Sequence, residues 1–315
     1  MTSARRTVVA AHLAGVPSSS GRAELEALVA GVVAGRPEAT LGLDFGGLDF
    51  GGLDFAGPDR PTRDEVWSAL AEGWGYDPTK RTVTIAVERT LAAAGIAADA
   101  LSDVCRTGGS VALATGRPAS MLGCYQALAR LLGAAGATVL RSNAPANRAA
   151  TGVAGSAPSI WWVDGVAVVT DGRSLRADDG IRLMDDRSGL ADDWLFGVGR
   201  PDLVVADRGF AAAAVAAGHR TIAPADVDAV ALAVVARRGA PVTTIPLDCR
   251  RPPEAYAPLV TLLTARLTGL EADPNADPDP GDAGGRSNGA GAGRTPHSTT
   301  PSPGAYAAPE SGGEG

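Results

Sequence analysis

A three-layer α/β fold of Rossmann-like type is predicted for this chain by three observations. From Val111 onward short apolar strands alternate with helical segments; Asp164-Gly165 marks a tight hairpin between two of the strands; and the first hundred residues show helical spacing alone. The expected architecture is a mostly parallel sheet with an inserted β-hairpin and an N-terminal helical subdomain. Three regions follow: residues 1–100, helical; residues 101–268, the α/β core; and residues 269–315, a tail.

Residues 4–15 and 21–35 have helical apolar spacing, and Gly35-Arg36-Pro37 stops the second segment. A tandem repeat of Leu-Asp-Phe-Gly-Gly type then runs from Leu43 to Gly57. Its five-residue units are far shorter than the roughly 20 residues of a solenoid repeat, so it reads as a surface loop lengthened by duplication. Thr62 and Glu65 form a capping box for a helix reaching about Trp74, and another helix is expected from Ile85 to Ala94. Strands are expected at 111–114, 138–140, 160–163, 166–170, 203–206, 221–223 and 242–247. Helices are expected at 118–135, 181–195, 209–218, 226–237 and 253–268. The tail, built of Gly, Pro, Asp, Ser, Asn and Ala, has no apolar periodicity and reads as disordered.

Charge and composition exclude several chemistries. The net charge is −7, and the stretch from Glu271 onward holds seven acids against two bases, so the folded part is nearly neutral. Nothing in it suggests nucleic-acid binding. Lys80 is the single lysine and stands in a polar run, which leaves no Gly-Lys-Ser/Thr phosphate loop and no plausible Schiff-base lysine. Cys105, Cys124 and Cys249 fit neither a disulfide framework nor a zinc pattern, so a reducing, cytoplasmic setting is expected. Arg5-Arg6 precedes a short apolar run, but His12 interrupts it and it is too short to span a bilayer, so no membrane association is expected.

Ligands of open parallel sheets bind beyond the carboxyl ends of the strands. The first such end gives Thr115-Gly116-Arg117-Pro118: glycine allows close backbone approach, proline suits a first helical turn, and a guanidinium can grip a phosphate or carboxylate with two prongs. A plain strand-to-helix turn has the same look. Three later strand ends each carry an aspartate, Asp207, Asp226 and Asp248. Gathered at one edge they would hold Mg²⁺ and bridge to substrate phosphate, with Asp207 and Asp248 also placed to act on the reacting group. Each is equally a common helix cap. Arg173 and Arg176, after the hairpin, would add positive charge to the same pocket or decorate a turn.

Familiar catalytic patterns fail. Cys124 and Arg130 have the spacing of a cysteine phosphatase, but helix-forming residues separate them and no glycine nest surrounds the thiol. Gly197-x-Gly199 precedes a strand and lacks a third glycine, which argues against a dinucleotide site, and no Gly-x-Ser-x-Gly elbow occurs. With His12, His219 and His297 the only histidines, carboxylates and arginines must carry any chemistry.

The order of motifs resembles a family of actinobacterial proteins named phosphatases. The matching pieces are Leu113–Pro118 with its helix, Asp164–Val168 with Asp171–Arg176, Asp202–Phe210, and Thr244–Asp248 with Pro252-Pro253. The resemblance implies hydrolysis of a small phosphorylated metabolite. This chain departs from the family pattern: arginine stands at Arg117 and Arg208, and Ala177-Asp178 follows the Ser-Leu-Arg segment, where relatives carry histidine, and Phe210 stands where they carry tryptophan. The alternative is therefore a non-catalytic protein that binds a phosphorylated or nucleotide ligand.

Overall fold

The structure, a computed structural model, describes residues 3–46, 60–141, 159–170, 174–176 and 190–267. These belong to one compact unit, Met1–Asp277; the second, Pro278–Gly315, lies outside the described residues, as do repeat residues 47–57. The helices are α1 Ser3–Ala10, α2 Arg22–Ala34, α3 Pro37–Thr40, α4 Arg63–Trp74, α5 Val87–Thr107, α6 Pro118–Ala134, α7 Leu190–Val198, α8 Arg208–Ala216, α9 Val230–Arg237 and α10 Ala257–Thr264. The strands are β1 Ser110–Thr115, β2 Thr138–Val139, β3 Ser159–Val163, β4 Val166–Thr170, β5 Leu175–Arg176, β6 Leu203–Ala206, β7 Thr221–Ala225 and β8 Val242–Pro246.

The strands form one sheet in the order β3-β4-β1-β6-β7-β8, with β2 beside the start of β1 and β5 beside the end of β4. β1, β2, β4, β6, β7 and β8 run parallel; β3 and β5 are antiparallel to β4. The expected hairpin is the β3–β4 pair. Asp164 at φ 50° and Gly165 at φ 90° supply the two left-handed residues of a turn whose twist matches the strands.

Alternate residues of β1 divide the interior. Val111 and Leu113 point into a core with α1, α5, α6 and α10, whereas Ala112 and Ala114 point into one with α2, α4, α7, α8 and α9. Helices of the first hundred residues contribute to both cores. The small alanines of β1 allow α8, itself Phe210 followed by four alanines, to lie close against the sheet. α6 leaves β1 on one face and α8 leaves β6 on the other, so the chain changes face between adjacent strands. The crevice this opens at their carboxyl ends is where such sheets bind ligands.

Several segments differ from the expected bounds, three of them as follows. α1 stops at Ala10, with His12 in the left-handed region at φ 58°. α5 continues through Gly95 to Thr107 because Ala94, Ala97, Leu101 and Val104 are buried on one face. That burial outweighs the roughly 1 kcal/mol an interior glycine costs. The segment expected at 226–237 begins as a 3₁₀ turn, Val227–Ala229, before α9. No helix of the described residues is long and apolar enough to cross a membrane.

Candidate functional site

The turn after β1 is fixed from below by Asp207. Its Oδ2 accepts from Thr115 Oγ1 at 2.6 Å and its Oδ1 from the Gly116 N–H at 2.7 Å, while Thr115 Oγ1 accepts from the Arg117 N–H at 3.0 Å. Thr115 and Asp207 are fully buried. Burial pushes the Asp207 carboxyl up to about 6, against the pull of these donors and of Arg117 and Arg208. Asp207 thus spends both oxygens on shaping the turn.

Above it, side chains from three strand ends converge on Asp228. This residue lies in the 3₁₀ turn after β7, and its Oδ2 accepts from Arg117 Nη2, after β1, and from Arg208 Nη1 at 2.8 Å, after β6. Arg250, after β8, brings its Nη2 to 3.9 Å from the same oxygen. Glu24 of α2 holds Arg250 with two bonds, at 2.5 and 3.2 Å. Arg117 and Arg208 are mostly buried, and Arg250, about a third exposed, faces solvent. Burial opposes the Arg117 charge, but Asp228, Asp207 and Asp226 more than offset it and hold the pKa above the ordinary value. Arg208 has φ 49°, a left-handed geometry costly for a side chain of this size.

Asp226 and Asp248 have separate surroundings. Asp226 is 1% exposed; its Oδ1 accepts from the Val227 N–H at 2.7 Å and its Oδ2 is buried without a partner, as is Asp228 Oδ1. Burial, and then the Asp228 charge, push the Asp226 carboxyl up to about 7. Asp248 ties the N-terminal region to β8. It accepts from Ser19 N–H and Oγ at 2.9 and 2.6 Å, from the Arg250 N–H at 3.0 Å, and from Arg251 Nη2 at 2.8 Å.

The three acids of the expected Mg²⁺ site, Asp207, Asp226 and Asp248, thus have separate hydrogen-bond partners. Asp207 and Asp248 have both oxygens committed to protein donors, and among the described residues no group of three or more His, Cys, Asp or Glu is placed to hold a metal ion. Asp207 holds the turn after β1 by these bonds, and Asp248 holds Ser19 and its own loop. Thr115, Gly116 and Arg117 form the turn after β1, the first two buried and the third reaching Asp228. Arg173 lies outside the described residues; Arg176 is in β5, with its side chain outside the described set. Asp228, Arg208 and Arg250 were not expected. The available signal was adjacency: Arg208 follows Asp207, Asp228 stands two residues past Asp226, and Arg250 two past Asp248.

Cys105, Cys124 and Cys249 are free and buried. Burial, with the Asp207 charge, pushes Cys124 up to about 12, and Cys249 is raised well above the ordinary value by burial. His219 precedes β7, at the amino ends of the strands and away from the arginine cluster at their carboxyl ends. A family model described as Phosphatase matches residues 3–270. No curated protein and no solved structure matches the chain.

Proposed function

Because the chain belongs to the Phosphatase family, we propose that it hydrolyses the phosphate ester of a small metabolite, with the phosphoryl group held in the crevice between β1 and β6. The observation that carries this is the meeting of Arg117, Arg208 and Arg250 at one oxygen of Asp228. Two guanidinium groups bond this one carboxylate oxygen and a third lies 3.9 Å from it, so the positive charge of three arginines is gathered about a single anionic position. A phosphoryl group, with three terminal oxygens, suits such a concentration of charge, and Asp228 occupies the position of the anion. The Thr115–Gly116 turn sets the depth of the pocket, and donors already in place stabilise charge without reorganising.

Phosphate release from a panel of phosphomonoesters, with and without Mg²⁺, is the test. Arg117→Ala and Arg208→Ala are expected to lower kcat/KM by about 100-fold, the scale of one lost charge-stabilising donor. Wild-type release no greater than that of the double variant overturns the assignment. A second reading, binding without turnover, is favoured by Asp207 and Asp248, whose oxygens are taken up within the protein. Thermal stabilisation by phosphorylated ligands with no phosphate release selects it.

A further inference from the structure

The arginines around Asp228 are not equally buried, and the gradient orients whatever they hold. The side chains of Arg117, Arg208 and Asp228 are 11%, 14% and 11% exposed, whereas those of Arg250 and Glu24 are 34% and 39% exposed. A phosphate ester entering this cluster therefore turns its phosphoryl group inward, to the arginines, and leaves its organic part outward, beside Arg250 and Glu24. What the organic part meets there decides which esters fit.

It meets a carboxylate. Glu24 holds Arg250 end-on, with Oε1 at 2.5 Å from Nη2 and Oε2 at 3.2 Å from Nη1, and the same Nη2 stands 3.9 Å from Asp228 Oδ2. One guanidinium nitrogen thus joins Glu24 Oε1 to the anion position. A carboxylate has about four acceptor sites, and Arg250 takes two of those on Glu24. Glu24 stands in the first turn of α2, a helix of 13 residues that packs on the 3₁₀ turn carrying Asp228, so its place relative to the cluster is fixed. The adjoining rim is polar and open. Ser19 is exposed and shares the Asp248 carboxylate with the Arg250 N–H, and a Cβ at Gly21 would meet nothing within 4 Å. Spare acceptors on a part-exposed carboxylate suit a hydroxyl group, repel a second anionic group and offer nothing to an alkyl chain. On the phosphate-ester reading above, we propose that Glu24 is the specificity-determining residue of the crevice: it accepts a hydrogen bond from a hydroxyl group of the esterified alcohol, and the substrates are phosphorylated polyols or sugars.

The test compares wild type and Glu24→Ala on three esters of one carbon length. Glycerol 1-phosphate has hydroxyl groups beside the ester, propyl phosphate has none, and propane-1,3-diol bisphosphate has a second phosphate instead. Wild type is expected to favour glycerol phosphate over propyl phosphate in kcat/KM by about 10- to 100-fold, the scale of one hydrogen bond to a charged group. Glu24→Ala is expected to erase that preference while still cleaving propyl phosphate. It is also expected to raise kcat/KM on the bisphosphate by about 5-fold, the scale of one like charge removed near the surface. A misfolded variant gains on no substrate, so this rise separates lost recognition from lost structure. Equal wild-type rates on glycerol and propyl phosphate, a preference that survives in Glu24→Ala, or equal losses on all three esters overturn this proposal alone; the last would leave Glu24 only a part in holding Arg250. A wild type that releases phosphate from none of these and from no other phosphomonoester overturns the parent reading and this one together.

Discussion

Arg208 occupies a backbone geometry that glycine would adopt without cost, and its ion pair with Asp228 holds it there. The two contributions can be separated. Arg208→Gly is expected to unfold at a higher urea concentration than Arg208→Ala, because only glycine relieves the strain, while both lose phosphate release to the same extent. Thr115→Val tests the support beneath the turn. Its loss leaves Asp207 Oδ2 buried without a donor, a cost of roughly 2 kcal/mol at pH 8. Since the Asp207 carboxyl lies at about 6, above its unfolded value, lowering the pH to 5 protonates it in the folded protein, and the cost of the substitution should shrink. Denaturant titrations at the two pH values check the sign. At this scale the sequence revealed where the acids stand but not what they face. Strand periodicity marks Asp207, Asp226 and Asp248 as strand ends, yet the partner of Asp248 is Ser19, 229 positions away, and the arginine acceptor is Asp228. Side-chain direction beyond a strand end depends on loop geometry, which has no period to read.

Helices and strands were far more legible. β4 and β6 have the bounds their alternation predicts, and the Thr62 cap donates its place as foreseen, accepting from the Glu65 N–H at 3.1 Å. β5, two residues long, carries too little pattern to register. α5 was cut short at Gly95 because a local glycine signal is visible in sequence and the opposing burial is not. Junctions between elements are equally specific. Gly75 ends α4 at φ 67°, its N–H bonded to Ala71 O, and a Cβ there would come within 2.4 Å of Ala86 Cβ ahead of α5. Gly75→Ala should therefore cost roughly 2 kcal/mol through both strain and contact, seen as a lowered Tm. Gly73→Ala, two residues earlier and with open space around it, serves as the control.

Across the whole molecule, the class of fold followed from the alternation of elements, because parallel strands joined by helices admit few arrangements. The sharing of both cores by the first hundred residues did not. Leu25, Val29, Val66 and Leu70 pack in the cluster that holds Ala112 and Val204, and Val8, Leu13, Val87 and Ala97 in the one that holds Val111 and Leu113. A chain starting at residue 101 is expected to lose cooperative unfolding, measured by calorimetry, whereas one ending at Asp277 should retain it, since it keeps all of the first compact unit. Asp228 gives this integration a practical edge. One of its oxygens draws together chain from the ends of β1, β6 and β8, and Glu24 extends the tie to α2. In a cell-based screen, substitutions at Asp228, Arg117 or Arg208 would deplete the protein as well as disarm it. Scores from such a library have to be divided by abundance before any of them is credited to chemistry.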